Sequence, residues 1–205
     1  MIAGRTTIDV SDLPTTTFGH RDLAWWGTIG FILIEGTTLV IVAMVYFYLR
    51  RNFAQWPPPR TAPPDLLPGI LQVGVMALSW WPVALLDRAA RRLDRGAVRR
   101  WLVVCTLFAI AFCVLRGFEF AGLNVRWSTN AYGSVNWAVL VTHATLILAE
   151  ALEIIVITAV FFTPRVTERH FSDASDTAPY WYFLTGSWVL LAAMIYLVPR
   201  FWTSP

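Results

Sequence analysis

The chain has 205 residues, of which 57% are hydrophobic and only 14% charged, with a formal net charge of +3 and a positive mean hydropathy. An average soluble domain carries about a quarter of its residues as charges, so there are too few here to coat a water-facing surface. The composition excludes a soluble enzyme, a nucleic-acid-binding protein and a disordered chain, and points to an all-α polytopic membrane protein with little mass outside the bilayer.

The apolar residues fall into five blocks, each long enough, at about 20 residues or more, to cross roughly 30 Å of hydrocarbon. Residues 1–23 come first and are mostly polar, with Asp9, Asp12 and Asp22 and no apolar run of the signal-peptide kind. They are expected to form a cytoplasmic N-terminal segment, with the first span acting as its own insertion signal. Residues 24–203 are expected to form a single five-helix bundle.

The first helix is predicted over about 24–49 and is closed by Arg50 and Arg51. The stretch QWPPPRTAPPD, residues 55–65, holds five prolines and predicts extended, polyproline-like chain. The second helix is predicted over about 66–86, with Pro82 inside it. A proline within a span frees a carbonyl that neighbouring helices must satisfy. The third is predicted over about 101–123, the fourth over about 135–162 and the fifth over about 180–201. Pro164 and Pro179 punctuate the last connection. Cys105 and Cys113 lie eight residues apart on the third helix, cannot bridge one another, and read as small packing residues.

Arginine placement sets the expected orientation. The chain has no lysine, and its pI of 9.2 comes from arginines beside the apolar blocks. The segment 87–100 carries Arg88, Arg91, Arg92, Arg95, Arg99 and Arg100. With this segment inside, ten arginines face the cytoplasm (these six, Arg5, Arg21, Arg165 and Arg169), against Arg50, Arg51, Arg60, Arg126 and Arg200 outside. The N-terminus is then cytoplasmic. The six-arginine segment is expected to meet anionic lipid headgroups, at about 1 kcal/mol per charge near the surface. Tryptophans near block ends fit an interfacial belt.

Ionisable groups at membrane depth cost about 2.5–3.5 kcal/mol on insertion scales, so each one needs a reason. Glu35 sits mid-block between Ile34 and Gly36 and is expected to be the deepest acid, buried and hydrogen-bonded across a helix interface. Arg116 and Glu119 are three residues apart and can pair on one helix face. On the fourth helix His143 and Glu150 lie two turns apart, with Glu153 about 60° round from Glu150, so the three form one polar stripe. Packing hydrogen bonds, a polar or proton-related path and part of a metal site are all open for that stripe; alone, it spans too much rise to close a metal site. The chain has no CxxCH haem-attachment sequence, no pair of membrane-buried histidines for haem, no Walker loop and no serine–histidine arrangement. No catalytic residue and no metal site are therefore assigned to it.

Several stretches together resemble one family, subunit III of the haem–copper oxidases (cytochrome c oxidase and its quinol oxidase relatives). The first block, WWGTIGFILIEGTTLVIVAMVYFYLR, resembles the family's helix with a single embedded glutamate and puts Glu35 at that position. RGFEFAG resembles the stretch that places Glu119 before a short loop. NAYGSVNWAVLVTHA resembles the tyrosine–glycine–serine entry to a histidine-bearing helix, through Tyr132, Gly133, Ser134 and His143. In YWYFLTGSWVLLAAMIYL the matches are Tyr180, Trp181, Phe183, Trp188 and Tyr196. The likeness runs in order from about residue 24 to 200 and fits the five-helix short form. The sequence departs from the family pattern at four positions. Leu146 stands where a second histidine is usual, Glu150 replaces a small residue, Tyr182 stands for histidine and Thr185 for aspartate.

The resemblance implies a non-catalytic core subunit of a respiratory terminal oxidase that couples oxygen reduction to proton pumping. Such a subunit would pack beside the catalytic subunit I and other oxidase subunits, hold phospholipid and sustain proton uptake. Haem and copper would sit on the partner subunits and none on this chain. The setting implied is a bacterial-type inner membrane, and membership of a respiratory supercomplex is compatible with it. Two alternatives stand beside this reading: an accessory subunit of nitric oxide reductase, and a small membrane transporter using the polar stripe of the fourth helix.

Overall fold

A computed structural model describes residues 16–202, so Arg5, Asp9 and Asp12 lie outside the described residues. A short 3-10 turn at Gly19–Arg21 leads into five long helices: α1 Leu23–Asn52, α2 Leu66–Arg91, α3 Arg95–Ala121, α4 Ala131–Phe161 and α5, which begins as Glu168–Ala192. The last helix passes through a π-helical stretch, Ala193–Leu197, and ends as Val198–Phe201. All five are long and apolar enough to span a membrane, and the described residues contain no strand. The helices alternate in direction. The first end of the bundle gathers the start of α1, the α2–α3 turn and the α4–α5 connection. The second end gathers the 53–65 and 122–130 segments and the C-terminal turn.

Polar side chains start the helices, as orphan amides require. Asp22 Oδ1 accepts from the Ala24 amide at 3.1 Å, Asp94 from Ala97 at 3.0 Å, and Asn130 from Gly133 at 2.8 Å. At the start of α5 the Thr167 amide donates to His170 Nδ1 at 3.0 Å. α2 packs against α3 and α5, α3 against α4, and α1 against α4 and α5. The interface residues form one continuous core, including Met76, Leu86, Leu102, Phe112, Ile147, Trp181 and Trp188. α1 lies at the margin and buries only Leu39, Tyr46 and Arg50.

Three expectations change. First, α5 starts at Glu168, twelve residues before the predicted 180, and Pro179 lies inside the helix. The polar run Ser172–Thr177 reads as loop in sequence, yet all of it except the half-buried Asp173 is buried. Ser172 Oγ donates to the Thr17 carbonyl at 2.9 Å and to Asp22, and Ser175 Oγ donates to Asp87. Buried polar groups with partners remove the cost that a hydropathy reading assigns to them.

Second, the arginine-rich segment 87–100 is two helix ends joined by a turn at residues 92–94. Arg95 donates to the Thr163 carbonyl, and Arg99 Nε to the Phe161 carbonyl at 2.7 Å, so both cap the last turn of α4, where cations are favoured. Arg91 pairs with Asp87 at 2.9 Å. Arg88, Arg92 and Arg100 are exposed, with no side-chain hydrogen bond or ion pair among the described residues.

Third, the proline-rich stretch folds back over the second end instead of extending. Trp56 is buried; its Nε1 donates to Tyr46 Oη at 2.9 Å and its ring meets Tyr132 edge-on at 4.9 Å.

Candidate functional site

The ionisable groups inside the bundle gather in two places. The first lies in the half nearer the second end, where α3, α4 and the end of α5 meet. Arg116 Nη1 is 2.8 Å from Glu119 Oε2, with both side chains buried; the contact is an ion pair by distance, without an aligned hydrogen bond. Glu119 Oε1 accepts from Tyr196 Oη at 3.0 Å. Arg116 Nη2 is 2.9 Å from His143 Nδ1, and His143 Nε2 is 2.9 Å from the Leu184 carbonyl. Arginine can only donate and a carbonyl can only accept. Nδ1 therefore accepts and Nε2 carries the proton, which fixes one neutral tautomer. The Arg116 guanidinium also stacks 3.7 Å from the Trp188 ring centroid, a cation–π contact.

Two features of the backbone make this arrangement fit. The π-helical stretch carries Tyr196, and its ring lies against Gly69 of α2, where a Cβ would overlap it. At the entry to α4, Tyr132 is buried against Trp56, and Ser134 Oγ donates to the Trp127 carbonyl at 2.7 Å. Between them, a Cβ on Gly133 would overlap the Arg126 carbonyl. The Tyr132–Gly133–Ser134 motif thus seats the helix that carries His143.

The second gathering lies between α1, α4 and α5, from mid-bundle towards the first end. Tyr180 Oη donates to Glu35 Oε2 at 2.7 Å. Among the described residues, Glu150, only 2% exposed, has no hydrogen-bond partner for either carboxylate oxygen, and Asp176 Oδ2 has none. A recess of about 230 Å³ is lined by Thr28, Glu35, Glu150, Glu153, Asp176 and Tyr180. A second recess of about 420 Å³ shares Thr28, Glu153 and Asp176 with it and reaches Asp173. A third, about 450 Å³, shares Ala24 and Asp173 with the second and reaches Thr16 and Arg169 at the first end. The three recesses adjoin one another through these shared wall residues, and their row is the crevice referred to below.

The sequence-expected residues therefore divide differently from the reading along the chain. The polar stripe of α4 is split: His143 belongs to the arginine network, whereas Glu150 and Glu153 belong to the crevice. Two turns of helix are enough to bring them beside different neighbours. Glu35 is half-buried, and the deeply buried acid of the crevice is Glu150. The reason is that α1 is packed on one side only. Asp173, Asp176 and Tyr180 escaped assignment as site residues, although spacings of three and four put them on one helical face. That signal needs the helix to begin before residue 173.

The departures from the family pattern can also be placed. Thr185 Oγ1 accepts from Trp80 Nε1 at 2.7 Å, and the Tyr182 ring packs against Trp80 at 5.3 Å, so these two form a contact with α2. Leu146 joins the core. Among these four, only Glu150 has buried side-chain polar atoms without a hydrogen-bond partner among the described residues.

No family model matches the chain. Among curated proteins it is 24% identical over 186 residues to "Cytochrome c oxidase subunit 3" of Synechocystis, covering 88% of this chain and 78% of that protein. It is 25% identical over 181 residues to "Probable cytochrome c oxidase subunit 3" of Mycobacterium leprae, and 26% identical over 181 residues to the protein of that name in Mycobacterium tuberculosis. Each of these alignments covers 84% of this chain and 86% of the relative. With the five-helix architecture, these matches bear out the resemblance read from the motifs: over most of its length the chain is similar to proteins named cytochrome c oxidase subunit 3.

Proposed function

We propose that the chain is a non-catalytic accessory subunit of a haem–copper terminal oxidase in a bacterial-type inner membrane, with its N-terminus on the cytoplasmic side. Haem and copper belong to the partner subunits, beside which this bundle packs. Three things support the reading: the relatives' names, the helix order, and the arginine excess at the first end. The observation that carries a proton-related role is the crevice, where buried Glu150 shares a recess with the Glu35–Tyr180 pair. Glu153, Asp173 and Asp176 continue the line of carboxyls towards the first end. Carboxyl groups spaced along a crevice offer successive sites for a proton between the cytoplasmic surface and mid-membrane. Arg88, Arg92 and Arg100 hold lipid headgroups at that same surface.

The test is an optical spectrum and intact mass of the complex purified in detergent. A partner containing haem and copper is the expected result. A partner with haem and non-haem iron would instead favour a nitric oxide reductase assembly, and no metal-bearing partner at all would overturn the proposal. In the purified oxidase, Glu35→Ala and Glu150→Gln are expected to leave the initial rate within about twofold and to shorten the number of turnovers before inactivation. An abolished initial rate would refute a supporting role.

A further inference from the structure

The second end carries a polar recess that the crevice and the arginine network do not use. It encloses about 450 Å³ beside the end of α3 and the start of α4, with Arg60, Arg126, Thr61, Thr129, Phe120 and Trp137 among its lining residues. Both arginines are exposed, neither guanidinium has a hydrogen-bond or ion-pair partner among the described residues, and no acid lines the recess. The other second-end arginines differ. Arg50 is held by the Trp202 carbonyl at 2.9 Å, Arg200 is held by the Tyr196 carbonyl at 2.7 Å and by that of Pro64, and Arg51 lies outside the recess.

Arg60 and Arg126 come from separate segments that are tied together around the recess. Asn124 Nδ2 donates to the Pro63 carbonyl at 3.1 Å and to Asp65 Oδ1 at 2.9 Å, Asn130 Nδ2 donates to Thr61 Oγ1 at 3.2 Å, and the Asp65 amide donates to the Gly122 carbonyl at 2.8 Å. Arg60 and Asn124 both hold positive φ, at 65° and 57°, a region that costs a non-glycine residue about 1–2 kcal/mol. These cross-ties hold the two segments in register despite that cost. The wall is aromatic: Phe120 and Trp137 meet at a tilt of 38° with ring centroids 5.0 Å apart, and Trp137 Nε1 is already committed to the Val125 carbonyl at 2.8 Å.

Two free guanidiniums above an aromatic wall, where two spanning helices leave the bilayer, match a phosphodiester joined to an apolar tail. Guanidinium forks suit phosphate oxygens, and aromatic rings settle at headgroup level. We infer that Arg60 and Arg126 bind the phosphate of one anionic phospholipid headgroup, at the opposite end of the bundle from the six-arginine segment. The inference rests on the membrane-spanning reading but not on the identity of the partner subunits.

The experiment uses the full chain solubilised with its native partners, washed of lipid and resupplied with phosphatidylglycerol, phosphatidylcholine or inorganic phosphate. Bound lipid is counted by native mass spectrometry. At about 1 kcal/mol per arginine, R60Q/R126Q should retain one phosphatidylglycerol about 30-fold more weakly. R51Q, the same change outside the recess, should retain it as the parent does, and phosphatidylcholine should bind more weakly throughout. Equal loss in R51Q, or unchanged retention in R60Q/R126Q, would overturn the assignment. If inorganic phosphate displaced the lipid with the same arginine dependence, the site would bind free anion and the lipid would be refuted. Haem content is read on the same samples, so failure of the oxidase assignment is seen separately.

Discussion

The two gatherings of ionisable groups sit in one bundle and resolve the cost of burial in opposite ways. Around Arg116 the charge is answered on several sides at once, by Glu119 as counter-ion, His143 as acceptor and the Trp188 face as a polarisable lid. Around Glu150 it is not: the carboxyl is as buried as Arg116 but has no hydrogen-bond partner among the described residues, and its ionisable neighbours are further acids. The network pairs its cation with a counter-ion and ties three helices together, although Arg116 Nε and Trp188 Nε1 have no hydrogen-bond partner among the described residues. An unsaturated row of acids contributes little to stability and keeps its sites free. The first ties helices together, and the second is the place to which the proposed proton-related role is assigned.

That contrast can be broken most decisively at the network. Arg116→Ala leaves a buried carboxylate without its counter-ion and should cost about 3–5 kcal/mol, seen as a lower unfolding midpoint and reduced yield. Replacing both members, R116L/E119L, should recover a large part of that loss. If the double variant is as unstable as the single, the pair is not the unit that matters. Next in size is Gly133→Ala, which pushes a methyl into the Arg126 carbonyl. It should cost about 1–3 kcal/mol as overpacking, measured by thermal denaturation in detergent.

The crevice should respond in the other direction. Glu150→Leu removes two unpartnered buried oxygens and should raise stability by about 1–3 kcal/mol, while the number of turnovers sustained falls. A destabilised E150L would show that the carboxyl has a partner after all and would erase the distinction between the two regions. The smallest effect is expected from Tyr180→Phe, which deletes one hydrogen bond to Glu35 and should cost about 1 kcal/mol. Denaturation of Y180F alone and combined with E35Q measures that coupling.

Five spans were readable from the sequence because a run of about 20 apolar residues has few alternatives. The start of α5 was hidden because Ser172, Ser175, Asp176 and Thr177 carry the composition of a loop. Their burial depends on partners such as Thr17, Asp22 and Asp87, more than 80 residues away in the chain. Pro179 strengthened that misreading, since a proline ends a helix more often than it sits inside one. Arg116 and Glu119 were readable as a pair from spacing alone, but Tyr196 as their third member was not. The crevice was half readable: Glu35, Glu150 and Glu153 stood out as charges in apolar blocks, whereas Asp173 and Asp176 stood among polar residues where an acid attracts no notice. Along α4 the period gives direction but not neighbours, and so His143 and Glu150 looked like one stripe.

The π-helical stretch Ala193–Leu197 divides the last helix into two rotational phases. A stretch of this kind takes in one residue beyond the regular helical count, and one residue corresponds to a rotation of about 100° and a rise of about 1.5 Å. Before it, α5 addresses its side chains to α2 and α4. After it, Arg200 meets the Pro64 carbonyl and the Trp202 carbonyl meets Arg50. Held to the regular α-helical count, the same residues would carry the closing turn about 100° round and away from both contacts. One surplus residue thus works as a phase shifter that lets a single span keep two appointments.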